Sequence, residues 1–168
     1  MSNRTTVAEK LTGLPPGTRP VPHPDLPYEA TIMVRDSCLC LHAQRAARAL
    51  ARRFDEVLRP LGLTNGQFSL LMALNRPEPA TMGPVASLLA MDRTTLTAAL
   101  KPLQRRGLVD VLADPADRRS RRLLLTDDGR ALMARALPIW TATHAALDRL
   151  VTDMDRLRAD LRVVTVPA

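Results

Sequence analysis

The sequence predicts a mainly α fold carrying one small β-hairpin. Ala, Leu and Arg, all good helix formers, dominate its 168 residues. From Asp36 onward, apolar residues recur at the three- and four-residue spacing of amphipathic helices, with a single stretch of period-two alternation. Aromatic residues make up only 2% (Tyr28, Phe54, Phe68 and Trp140). That scarcity favours aliphatic helix packing over an aromatic-rich β-sandwich. A chain of this length fits one domain with a tail and can bury most of its apolar surface.

The elements follow in order. Residues 1–30 hold six of the fourteen prolines, a density that prevents helix or ladder formation, and read as an extended arm. Such an arm is either a flexible tail or a strap that wraps a partner chain. Asp36 is a candidate N-cap for a long helix with Leu39, Ala43, Ala46, Leu50, Val57 and Leu61 on one face, closed by Gly62. Thr64 and Gln67 have capping-box spacing and open a helix through Phe68, Leu71 and Leu74 that ends before Pro77-Glu78-Pro79. Pro84 suits the first turn of a short helix, Val85 to Ala90. Asp92 caps a further helix from Arg93 to about Arg106, stopped by Gly107. Residues 108–112 alternate as a strand, residues 113–120 form a polar turn, and residues 121–125 return. Thr126-Asp127-Asp128 opens a long helix with Leu137, Trp140, His144, Leu147 and Val151 as its expected buried stripe. His144 is expected there as a core or pocket residue. A short helix through Met154, Leu157 and Leu161 follows.

Charge and composition narrow the function. The formal charge is +7, almost all from arginine, since Lys10 and Lys101 are the only lysines. Such a balance suits a polyanion, because cations on phosphates release condensed counterions. No apolar run reaches the roughly 20 residues of a membrane helix, and no signal peptide pattern opens the chain. With two closely spaced cysteines, Cys38 and Cys40, the expected compartment is the cytoplasm. There is no glycine-rich phosphate loop, no metal motif and no nucleophile–base–acid set, so an enzyme is not expected, and no cofactor is implied.

The informative stretch is residues 81–125. A short helix, a tight turn and a second helix with a polar start match a helix-turn-helix, whose second helix can enter the major groove. Thr94, Thr95 and Thr97 offer hydroxyls and methyls there, and Arg93 and Lys101 are candidate base or phosphate contacts. The hairpin that follows carries Arg118 and Arg119 at its tip beside Ser120, with Arg121 and Arg122 just after. Residues 92–122 hold eight cations against four acids. A basic hairpin beside a recognition helix is what a minor-groove probe requires. The fold class expected is therefore a winged helix-turn-helix with further helices outside it.

At these residues the chain resembles the MarR family of winged-helix regulators. The matching stretches are Leu61-Gly62-Leu63-Thr64 with Gln67-Phe68, residues 91–97, residues 103–109, residues 114–120 and Leu125-Thr126-Asp127-Asp128-Gly129. The resemblance covers about residues 36–161. It implies a homodimer built through the first and last helices, binding a pseudo-palindromic duplex DNA operator, usually as a repressor released by a small-molecule effector or by thiol oxidation. The organisation implied is a proline-rich arm (1–30), an N-terminal dimerisation helix (31–62), a DNA-binding lobe (63–126) and C-terminal dimerisation helices (127–168). By motif position, Thr94, Thr95 and Thr97 would face the major groove, Arg118 or Arg119 would enter the minor groove, and Asp117 would brace the wing.

Cys40 falls where the peroxide-sensing, OhrR-like branch has its reactive cysteine. A cysteine near a helix start favours the thiolate and its oxidation. On one continuous helix Cys40 lies closer to the apolar stripe and is expected to line a pocket, while Cys38 meets solvent or a partner chain. His42, four residues after Cys38, could touch its thiol. The other readings of this trio are inert packing and, with too few ligands, metal binding. The rival functions are a winged helix used for protein or RNA contact, and a Cys38–His42 thiol enzyme.

Overall fold

The computed structural model describes His23, residues 25–115, Asp117 and residues 120–165. The described chain divides into two compact units, one up to Ala46 and one from Ala47 onward. Most of the expected proline arm lies outside the described residues.

In the first unit, helix α1 spans Tyr28–Ser37 and α2 begins at Leu39, running to Leu58 in the second unit. The helix thus starts inside the stretch expected as an arm, because Pro27, in extended conformation, sits at the N-cap position and pre-sets the entry. Asp36 is not an N-cap. It lies in the last turn of α1, where Oδ1 accepts from Arg35 Nε at 2.6 Å. The break falls instead at Cys38, whose ψ of 106° leaves helical space. Its carbonyl accepts from the His42 amide (3.1 Å) and its sulfur from the Leu41 amide (3.4 Å), so Cys38 serves the first turn of α2 as a cap.

In the second unit, α2 gives way to one 3-10 turn, Arg59–Leu61, ended by Gly62 at φ 64°. Thr64 Oγ1 accepts from the Gln67 amide while Gln67 Oε1 accepts from the Thr64 amide, both at 3.2 Å, and this capping box opens α3 (Asn65–Leu74). Phe68, Leu70, Leu71, Ala73 and Leu74 are all buried, so α3 runs through the core. It packs on α4 (Met82–Leu88), on strand β3 (Arg121–Leu125) and on α6 (Asp127–Asp148).

Strand β1 (Ala80–Thr81) pairs antiparallel with β3, giving a three-stranded sheet in the order β1-β3-β2, where β2 is Val109–Ala113. Two residues are too few to show a period, so β1 is invisible without its partner. Helix α4 begins three residues earlier and ends two residues sooner than its apolar pattern suggests. Helix α5 (Arg93–Arg105) lies between α4 and β2, with Leu96, Leu100 and Leu103 buried. Gly107 turns the chain at φ 68° into β2. Helix α7 (Met154–Thr165) closes the described chain.

The expected stripe on α6 is partly wrong. Trp140, His144 and Leu147 are half-buried, but Leu137 is 45% exposed, and Val151, 37% exposed, lies beyond the helix end. The buried line is Gly129, Met133, Ala136 and Thr143. Periodicity finds apolar positions, but only packing tells which of two adjacent apolar faces meets the core.

Candidate nucleic-acid interface

The turn between α4 and α5 sets the recognition geometry. The Met91 amide donates to the Ala86 carbonyl (2.9 Å) and the Ala90 amide to Ser87 (3.1 Å), the paired bonds of a Schellman turn. Ala90 therefore takes φ 50°, an unusual value for a residue with a Cβ. Asp92 then starts α5. Its Oδ1 accepts from the Thr95 amide (2.8 Å) and its Oδ2 from the Thr95 hydroxyl (2.7 Å). These bonds to Thr95 hold the pKa of the Asp92 carboxyl below the usual carboxylate range.

With Leu96, Leu100 and Leu103 turned inward, Arg93, Thr94, Thr95, Thr97 and Lys101 are all exposed. The Thr97 hydroxyl donates to the Arg93 carbonyl (2.7 Å). Thr95 and Thr97 thus spend their protons within the protein and present methyls and lone pairs outward. Such groups suit thymine methyls and the exocyclic amines of adenine or cytosine. Arg93, Thr94, Thr97, Ala98 and Lys101 surround an open hollow of about 310 Å³ on the outer face.

The hairpin brings Ser120, half-buried, beside this helix. Arg118 and Arg119, the expected minor-groove residues, lie outside the described residues. One brace of the hairpin, beside the Asp117 expected from the resemblance, is missed by sequence reading. Asp114, only 7% exposed, has Oδ2 3.0 Å from Arg122 Nε, a close ion pair whose alignment falls short of a hydrogen bond. Asp117 is exposed, and its carbonyl accepts from the Ser120 amide (2.8 Å) while the Ser120 carbonyl takes the Asp114 amide (3.2 Å). The available signal was the period of β3, which sets Arg122 on the opposite face from Arg121.

The cysteine region reverses the helical-wheel expectation. Cys38 is half-buried and Cys40 exposed, because the chain breaks at Cys38 and one continuous wheel does not apply. The ring of His42 turns to the Asp36 carbonyl (Nε2 to O, 3.2 Å) rather than to sulfur. Among the described residues, no group of three or more His, Cys, Asp and Glu could hold a metal ion. No described helix is long and apolar enough to cross a membrane.

Comparison with known proteins places this geometry. A MarR family profile matches residues 61–120. The chain is 32% identical over 144 residues to the HTH-type transcriptional regulator TtmR of Methylorubrum extorquens, covering 79% of this chain and 74% of that one. It is 29% identical over 107 residues to the organic hydroperoxide resistance transcriptional regulator of Bacillus subtilis, covering 64% and 73%. Among solved structures, the M. tuberculosis transcriptional regulator MosR in complex with DNA shares 40% identity, with a TM-score of 0.72 over 77% of this chain and 94% of that one.

Proposed function

The chain belongs to the MarR family of winged-helix transcriptional regulators and is a DNA-binding regulator, not an enzyme. On that premise we propose that it acts in the cytoplasm as a homodimeric repressor whose two α5 helices enter successive major grooves of a pseudo-palindromic operator. The observation that carries this reading is the outward polar face of α5, where Arg93, Thr94, Thr95, Thr97 and Lys101 follow the Asp92 cap and are all exposed. By motif position alone, Arg118 and Arg119 are proposed for the minor groove, with Ser120 next to them in sequence at the loop end of the hairpin. A second copy is supported by apolar surface left open in both units: Tyr28, Met33, Val34 and Leu39 in the first, Leu150, Leu161, Val163 and Val164 in the second.

The signal that releases DNA is a small molecule or an oxidant. The thiol reading is supported by the Bacillus subtilis relative named for organic hydroperoxide resistance and by the place of Cys38 at the first turn of α2. The Leu41 amide that donates to its sulfur supports Cys38, rather than Cys40, as the sensing thiol, with His42 in the same turn of sequence.

The two-helix mode is tested by spacing. Inserting about five base pairs between operator half-sites turns one half-site to the opposite DNA face and should abolish tight binding. Unchanged affinity would remove the mode. Treatment with an organic hydroperoxide should release DNA from the wild type and from Cys40→Ser, and leave Cys38→Ser bound. Equal release from all three removes Cys38 as the sensing sulfur, and no release from any of them assigns the signal to a small molecule.

A further inference from the structure

We infer that Arg106 is a positioning residue: its guanidinium pins the C-terminal end of α5 to the turn that closes α2, and so sets which half-site spacing the dimer accepts. The inference rests on the two-helix homodimer reading above and gives a role to a residue outside the polar face of α5 assigned to DNA.

The tie grows from two glycines. Gly62 ends the 3-10 turn after α2 at φ 64°, and Gly107 follows the end of α5 at φ 68°. Left-handed residues at such places turn the chain off the helix axis and leave carbonyls without an intrahelical partner. Each of these two glycine carbonyls is taken by a side chain from another element. Arg106 Nη1 donates to the Gly62 carbonyl at 2.7 Å, across 44 residues of sequence. Thr126 Oγ1 donates to the Gly107 carbonyl, also at 2.7 Å. Arg106 is the C-cap residue of α5 and Thr126 the N-cap residue of α6. The C-terminal end of α5 is therefore held both by the end of α2 and by the start of α6.

The anchor at Gly62 is firm. A Cβ there would lie 3.5 Å from Arg106 Nη2, so the guanidinium covers the glycine itself as well as its carbonyl. The turn is closed by the Gly62 amide on the Arg59 carbonyl (2.9 Å). It is also spanned by Asp55 Oδ1, which accepts from the Asn65 amide (2.6 Å) and so holds the start of α3 to α2. At the other end of the tie, the Arg106 amide donates to the Gln104 and Pro102 carbonyls, which fixes the backbone from which its side chain leaves. The positive charge also stands at the negative end of the α5 dipole. Elsewhere α5 packs on α4 and β2, neither of which is a dimerisation element in this reading.

Leverage makes the tie matter. From Arg106 back to Arg93, α5 extends about 20 Å at 1.5 Å per residue. A swing of roughly 10° about the C-terminal end would carry Arg93 and Thr94 by about 3.4 Å, the rise of one base step. A helix free to swing that far fits half-sites one base pair closer or further apart, whereas a pinned helix fits one spacing. Reading within a half-site is untouched, because Thr94, Thr95 and Thr97 stay on the same helix face.

The test uses the full chain and a palindrome that the wild type selects from a random-sequence pool. Its companions are the same palindrome with one base pair added to or removed from the centre, and a single half-site. Binding is read by fluorescence anisotropy, and the quantity compared is the ratio of affinities for selected and altered spacing within each protein, so a general loss of folded protein cancels. The wild type should prefer the selected spacing. Arg106→Met should lower that ratio about fivefold, the scale of one charge-assisted hydrogen bond at an exposed site, while binding the single half-site as the wild type does. Arg106→Lys, which keeps a donor, should restore the ratio. The log–log salt slope should be the same in Arg106→Met and wild type. A slope lower by about one per protomer would put Arg106 on a phosphate and overturn the inference, as would a wild-type ratio in Arg106→Met. A wild type indifferent to spacing overturns the two-helix reading instead.

Discussion

Asp114 Oδ2 lies 3.0 Å from Arg122 Nε at the loop end of the hairpin, and Asp114 is one of only two polar residues in the buried set among the described residues. The pair joins the residue just after β2 to the second residue of β3, where the strands run out into the loop. The carboxylate, in close side-chain contact and by its charge, raises the already high basicity of Arg122. Asp114→Asn keeps the shape and removes that charge. Hairpin amides at residues 109–113 and 121–125 should then exchange faster, while those of α3 stay slow, and DNA affinity should fall. Wild-type exchange across the hairpin would show the brace to be dispensable.

Gly129 and Gly66 should respond to alanine with opposite signs. A Cβ on Gly129 would sit 2.3 Å from the Leu108 carbonyl oxygen and 2.8 Å from Leu125 Cδ1, with backbone on one side and core on the other. The first turn of α6 is also tied down there, since Thr126 Oγ1 accepts from the Gly129 amide (3.0 Å) and donates to the Gly107 carbonyl (2.7 Å). Gly129→Ala should cost on the order of 1–3 kcal/mol, a fall in Tm of roughly 5 °C for a chain of this size. Gly66 lies within α3 and meets nothing within 4 Å, so Gly66→Ala should raise Tm by about 2 °C through helix propensity. Calorimetry of both variants decides the matter, and like signs would contradict it.

These ties also show what could be read from sequence. The caps at Thr64, Asp92 and Thr126 and the turns at Gly62 and Gly107 were legible because each is a local exchange of hydrogen bonds within a few residues. The hairpin was legible because its period is local too. What failed needed a partner. Strand β1 exists only through its pairing with β3, and the break at Cys38 follows from α1 beginning as early as Tyr28. The run Arg121-Arg122 read as one patch of charge, although strand alternation sends the two side chains to opposite faces.

Ala90 should improve on replacement by glycine. At φ 50° its Cβ crowds the backbone at a cost of about 1 kcal/mol, part of which returns as the greater freedom of glycine in the unfolded chain. Ala90→Gly should therefore raise Tm by about 1–3 °C and keep the angle between α4 and α5, so DNA affinity should not fall. A lower Tm would mean that the turn relaxes elsewhere.

The last prediction concerns acid. His144 stands between Phe54, at 4.9 Å between ring centroids, and Trp140, at 4.2 Å. Burial pushes its basicity below the usual histidine value, the Arg158 charge adds to this, and Asp148 opposes it. Arg158 is itself fixed by Asp148 (2.8 Å) and Asp155 (2.9 Å), so its charge stays near the ring. With the folded value lowered, both states are neutral well above pH 6.5, and His144 then carries no penalty. As pH falls through the ordinary histidine range, the unfolded chain takes up a proton before the folded one does, and stability drops until the folded value is passed. Tm should therefore decline between about pH 7 and pH 5, and His144→Phe, which keeps an aromatic ring among Phe54 and Trp140, should flatten that decline. His42→Gln, altering an exposed ring, is the comparison. If His144→Phe and the wild type lose stability in parallel over this range, the proton uptake belongs to another group.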